Sequence, residues 1–111
     1  GGIVQGIGEA LSEEIRYNGS GQLENASYGD YVMPTAPDSP RMVIDHLETP
    51  SPFTELGTKG MGEAPIISGK AVMVSAVEDA LKPFHVRIAE TPLTREKLRT
   101  RILRSQGRGP V

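Results

Sequence analysis

The chain has no cysteine and no tryptophan, and only two Phe and three Tyr among 111 residues. Without cysteine it can hold no disulfide, no thiolate zinc site and no iron–sulfur cluster of its own. Few aromatics mean a thin core, because aromatic side chains bury the most surface per residue. There is no apolar run long enough to span a bilayer and no signal-peptide pattern, which fits a cytoplasmic protein. No G-x-S-x-G elbow is present, so a hydrolytic triad has little support. "GIGEAL" falls short of a full G-x-G-x-x-G, and no strand precedes it, so dinucleotide binding is weakly supported.

Glycine and proline are plentiful instead, 13 and 9. Leu, Ile, Val and Phe make up 26 of the 111 residues, above the level that marks disorder. The expectation is one small α+β domain over 1–104, with three helices and a small mixed sheet, followed by a flexible tail over 105–111. The chain opens on "GGIVQGIG" with no Met lead-in, which reads as part of something longer or as a split subunit. The net charge of −2 divides unevenly: residues 1–94 carry 6 basic and 13 acidic side chains, residues 95–111 carry 6 and 1. A basic end can bind nucleic acid, but no aromatic stacking residue accompanies these charges, so a solvated terminal helix is the better reading.

Residues 1–17 read as a helix, with Ile3, Ile7, Leu11 and Ile15 at four-residue spacing. Gly6 and Gly8 each cost such a helix roughly 1 kcal/mol, so something should pack closely against that turn. Glu9, Glu13 and Glu14 are expected to face solvent. "RMVIDHLE" (41–48) and "HVRIAE" (85–90) read as strands. Alternation sets His46 and Glu48 on one face, which is a surface polar face far more often than a metal pair. The segment from Ile66 to Leu81 is apolar nearly all round and reads as a buried helix ended by Pro83. Thr94 is the expected N-cap of a last helix, with Glu96 in its first turn.

Between the strand at 41–48 and the apolar helix lies "TPSPFTELGTKGMGEAP", a long irregular loop of the kind that is often functional. It places Glu63 after Gly57, Gly60 and Gly62, at the mouth of the helix. A charge favouring the helix dipole accounts for an acid there. The glycines add room for close approach of another backbone or a ligand. A helix buried behind it should carry the acid to depth, a setting that suits a general base.

Taken in order, "GGIVQGIGEALSEE", "GQLENASYGDYVMPTAPDSP", "HLETPSP", "GTKGMGEAPIISGKAVMVSAVEDAL" and "PLT" resemble the C-terminal end of the large subunit of the molybdenum hydroxylases. That family includes xanthine dehydrogenase, aldehyde oxidases and aerobic carbon monoxide dehydrogenase. The resemblance implies the fold of the C-terminal portion of their molybdenum-binding domain. It also implies a molybdenum–pterin cofactor, of the molybdopterin cytosine dinucleotide type, in the full enzyme.

In the family a glutamate in a K-x-x-G-E stretch acts as base toward a metal-bound hydroxide. Lys59, Gly62 and Glu63 occupy that pattern here, so Glu63 is the implied catalytic base and Gly62 an implied cofactor contact. Gln5 matches a family glutamine in V-Q-G that lies by the pterin. No metal ligand is implied in this chain, and by itself it is expected to hold no cofactor and to be inactive. The implied partners are the remainder of the large subunit and the iron–sulfur and flavin subunits; nucleic acid and membrane are not among them. "HLETPSP" leans toward carbon monoxide or aldehyde-type members. The alternative is a non-catalytic orphan or split-subunit domain that works by self-association or by assembly with a larger chain.

Overall fold

The computed structural model describes residues 1–109. Three helices carry the architecture: α1 over Gly2–Leu11, α2 over Ala64–Ala80 and α3 over Arg95–Ser105. Short 3-10 turns at Ala36–Asp38 and Lys82–Phe84 punctuate the connections. Helix α2 begins with Ala64 and Pro65, and proline suits the first turn because its missing N–H has no helical partner there. Pro83 lies within the 3-10 turn that follows α2.

Helices α1 and α2 pack against each other through small residues. A Cβ on Gly2 would touch the Pro65 ring at 3.0 Å, and one on Gly6 would lie 3.1 Å from the Gly69 Cα. The second contact lies four residues on from the first along each helix, so the two backbones meet along one stripe. A Cβ on Gly8 would run into Pro34 Cγ at 2.5 Å and into the Glu13 carboxylate. The expected close packing against that turn is therefore present.

α1 stops at Leu11, well short of the expected residue 17, because distant groups take over the backbone that follows. Asn25, buried at 5% exposure, accepts from the Arg16 N–H at 2.9 Å and donates to the Glu14 carbonyl at 2.5 Å. Glu24 N–H adds a bond to the Arg16 carbonyl at 2.9 Å. These bonds draw residues 14–17 out of the helix and lead into a single β-bridge between Tyr17 and Leu23.

The small mixed sheet is not there: no strand occurs among the described residues. A strand needs a neighbouring backbone, and 41–48 makes no backbone–backbone hydrogen bond to any described residue. In the 85–90 segment the Ile88 N–H is taken by the Glu78 carboxylate at 2.8 Å instead of by a strand.

The core is small: Ala10, Val86 and Leu93 are the buried hydrophobic residues among those described. The Leu93 N–H closes onto the Ala10 carbonyl at 2.7 Å. α3 is capped by Thr94, whose Oγ1 accepts from the Lys97 N–H at 3.3 Å, with Glu96 in its first turn. It is tied down by Lys97 to Glu14 at 2.6 Å and Arg101 to Glu90 at 2.7 Å. Past Ser105, Gly107 turns the chain at φ +71° and the Arg108 N–H returns to the Leu103 carbonyl at 2.9 Å. The rest of the expected tail, residues 110 and 111, lies outside the described residues.

α2 is not buried. It uses one stripe on α1 and leaves the rest of its apolar surface open, with Ile67 86% exposed and Val72 62%. The chain exposes 8921 Å², roughly half as much again as a compact monomer of this mass. Its radius of gyration is 18.1 Å, against about 13 Å for a compact domain of this length. No described helix is long and apolar enough to cross a membrane.

Candidate active site

The loop that delivers Glu63 is locally braced. Gly57 has φ +67°, and a Cβ there would meet Pro50 at 2.9 Å, so glycine is required both by backbone conformation and by space. The Gly57 carbonyl accepts from the Ser51 N–H at 3.0 Å, and its N–H donates to the Thr54 carbonyl at 3.1 Å. Thr54 Oγ1 donates to the Thr58 carbonyl at 3.0 Å, and Lys59 Nζ donates to Thr49 Oγ1 at 2.6 Å. Residues 49–59 thus form a closed ring of bonds from which the chain runs to Glu63. Gly60 and Gly62 have nothing within 4 Å of a Cβ position, so no contact within the chain demands glycine there.

Glu63 stands at the N-cap position of α2, yet its side chain makes no capping bond. Its carbonyl receives the Ile66 N–H at 3.0 Å, while the carboxylate has no hydrogen-bond or ion-pair partner among the described residues. The acid is exposed, not buried as the sequence suggests. The reason is the open flank of α2: a helix covered along one stripe carries its N-terminus no deeper than the surface.

Gln5, Gly62 and Glu63 line one open cleft of about 540 Å³, with Glu9, Met61 and the Ile66–Ile67 pair completing its wall. The packing of Gly2 on Pro65 and of Gly6 on Gly69 sets this register, bringing Gln5 of α1 beside the start of α2. Gln5 is exposed and its side-chain amide makes no hydrogen bond to the described residues. An amide can both donate and accept, so the cleft offers a free donor–acceptor pair, a free carboxylate and unshielded glycine backbone. Lys59 does not line it.

Sequence reasoning missed Glu9. It lines the same cleft and pairs with Lys70 Nζ at 3.1 Å. Its position four residues after Gln5 was the available signal, since that spacing shares a helix face. Glu13 and Glu14 are not free solvated acids either. Glu13 accepts from the Tyr31 hydroxyl at 2.8 Å and Glu14 pairs with Lys97. His46 and Glu48 lie on an exposed segment away from the cleft. A larger groove of about 1080 Å³ runs between α1 and α3, but two of its cations, Lys97 and Arg101, are already paired with Glu14 and Glu90.

Residues 1–40 match the molybdopterin cofactor-binding domain family. The chain is 48% identical over 98 residues to the nicotine 6-hydroxylase large subunit of Paenarthrobacter nicotinovorans, covering 88% of this chain and 12% of that one. It is 39% identical over 80 residues to the carbon monoxide dehydrogenase large chain of Afipia carboxidovorans, covering 72% and 10%. The crystal structure of quinoline 2-oxidoreductase from Pseudomonas putida 86 superposes with a TM-score of 0.85 at 46% identity, covering 91% of this chain and 13% of that one. The chain spans about an eighth of the length of these proteins.

Proposed function

We propose that this chain, which belongs to the molybdenum hydroxylase family as a segment of its molybdopterin-binding large subunit, supplies the proton-accepting carboxylate and one edge of the cofactor site of a molybdenum-dependent oxidoreductase. The observation that carries this reading is the free carboxylate of Glu63. It occupies an N-cap position without capping and shares a cleft with Gln5.

The residues present fit one edge of a pterin. The Gln5 amide offers both a donor and an acceptor to a heterocycle, and the backbone at Gly62 is open to close approach. When bound, the cofactor supplies a Lewis-acidic metal with two-electron redox capacity. Within this chain, Glu63 takes up a proton at its carboxylate. The Glu9–Lys70 pair leaves little net charge on the cleft wall beside it. Met61, Ile66 and Ile67 give the cleft an apolar side that keeps water from a bound ring once the site is covered.

The relatives named for nitrogen heterocycles, nicotine and quinoline, share 48% and 46% identity, against 39% for the carbon monoxide dehydrogenase chain. This supports a nitrogen heteroaromatic as substrate over the carbon monoxide or aldehyde lean of "HLETPSP". The iron–sulfur and flavin subunits, the cytosine dinucleotide form of the pterin and a cytoplasmic setting belong to the same proposal. For the chain by itself we propose self-association through the open side of α2, where Ile67 and Val72 are exposed.

The test is Glu63→Gln in the assembled large subunit. Turnover falls by about 10²–10⁴, the usual contribution of a positioned base, while cofactor content is retained. Undiminished turnover in a cofactor-loaded Glu63→Gln enzyme would overturn the assignment.

A further inference from the structure

We propose that Lys59 is a positioning residue, which holds the glycine-rich approach to Glu63 in place through its bond to Thr49. The inference deepens the reading of Glu63 as the proton acceptor and rests on it.

Of the K-x-x-G-E stretch, Gly62 and Glu63 line the cleft, whereas Lys59 does not. The Lys59 ammonium has no carboxylate partner among the described residues. It donates instead to the Thr49 hydroxyl oxygen at 2.6 Å, closing a loop across ten residues of chain. A hydrogen bond from a charged donor is roughly twice as strong as one between neutral groups.

The place of this bond in the loop gives it a role. Glu63 is held from behind by α2, whose Pro65 ring sits against Gly2. In front of the acid the chain is loose. A Cβ on Gly60 or on Gly62 would meet nothing within 4 Å. Among the described residues, the one backbone bond made by 59–62 runs from the Ala64 N–H to the Met61 carbonyl, and it is long at 3.4 Å. The bonds inside the braced ring stop at the Thr58 carbonyl, which receives the Thr54 hydroxyl at 3.0 Å. Lys59 is therefore the last fixed point before the acid. Released, the five steps from Thr58 to Glu63 can stretch to roughly 17 Å. A misplacement of about 1 Å at a reacting group costs up to about a hundredfold in rate. Lys59 and Thr49 are both exposed, and an exposed contact contributes little to stability. What the bond contributes is position: the lysine acts through Thr49 and the loop, not by its charge on the cofactor.

Two single variants test this. Lys59→Met keeps the stem and removes the donor; Thr49→Val keeps the shape and removes the acceptor. In the chain, NMR order parameters of the Gly60 and Gly62 amides fall from about 0.85 to below about 0.6 in either variant. Melting stays within roughly 5 °C of the parent. In the assembled, cofactor-loaded large subunit, either variant lowers kcat about three- to tenfold, with KM and cofactor content unchanged. The double variant lies within about twofold of either single one, because both remove the same bond. Thr49→Ser, which keeps the hydroxyl, matches the parent. A Lys59→Met enzyme that loses turnover beside a normal Thr49→Val enzyme overturns the inference, because the lysine charge then acts directly. Additive losses in the double variant overturn it as well, and so do unchanged order parameters in both single variants. Loosened Gly60 and Gly62 in both single variants of an enzyme indifferent to Glu63→Gln leave the tether standing and remove the catalytic reading. An unaltered loop and kcat in both single variants of an enzyme that Glu63→Gln disables do the reverse.

Discussion

A Cβ placed on Gly69 would lie 3.0 Å from the Cα of Gly6, so the two helices touch backbone to backbone at this pair. The contact fixes the register that sets Gln5 beside Glu63. Gly69→Val forces the helices apart and destabilises the chain by about 1–3 kcal/mol. Gly69→Ala costs less, because alanine regains roughly 1 kcal/mol of helix propensity. Gly19→Ala, where a Cβ meets nothing within 4 Å, stays within about 0.5 kcal/mol. Urea unfolding of the three variants checks the order.

Asn25 holds residues 14–16 out of the helix by bonding the Arg16 N–H and the Glu14 carbonyl. Asn25→Ala strands both groups in a partly buried place and costs about 1–3 kcal/mol. Asn25→Asp keeps the acceptor for Arg16 and loses the donor for Glu14, so it falls between. An Asn25→Ala chain that melts with the parent would show that this bridge does not hold the loop.

The Tyr31 hydroxyl donates to Glu13 at 2.8 Å. That bond, with burial and the nearby charges of Glu13 and Glu9, raises the phenol above its ordinary range. A raised folded value means the contribution is complete below the unfolded value, about pH 10, and is lost as pH rises through the folded one. Stability therefore declines above about pH 10 more steeply in the parent than in Tyr31→Phe. Thermal melts between neutral pH and alkaline conditions show the difference, and parallel curves would remove the bond from the stability balance.

His85 holds a left-handed backbone, φ 53°, where α2 and its 3-10 extension end. A left-handed residue with a side chain costs about 1–2 kcal/mol, offset in part by the greater entropy glycine loses on folding. His85→Gly is accordingly neutral to stabilising by up to about 1 kcal/mol, whereas His85→Val destabilises because β-branching tolerates this region worst. A stable valine variant would mean the turn relaxes freely.

Local chemistry was readable in several places. Thr94 caps α3 as its position before Glu96 suggests, because capping needs only a hydroxyl and the next few N–H groups. Gly6 announced a close neighbour, since nothing else offsets its cost in a helix. Other readings failed where a distant group intervened. The helix expected through residue 17 ends at Leu11 because Asn25 and Glu24 take up the backbone of residues 14 and 16. The strands at 41–48 and 85–90 lack partners, and the apolar α2 lacks cover, because periodicity reports what a segment can bury and not whether a surface is present to bury it.

The sequence by itself determined the helix mouth at Glu63 and the glycine-rich loop before it, since each depends on residue type and near neighbours. Only the tertiary structure decided that Gln5 and Glu63 line the same cleft, that the acid lies at the surface, and that Glu9 joins them. Those outcomes follow from the glycine stripe between α1 and α2, a contact between residues far apart in the chain whose register is set by shape.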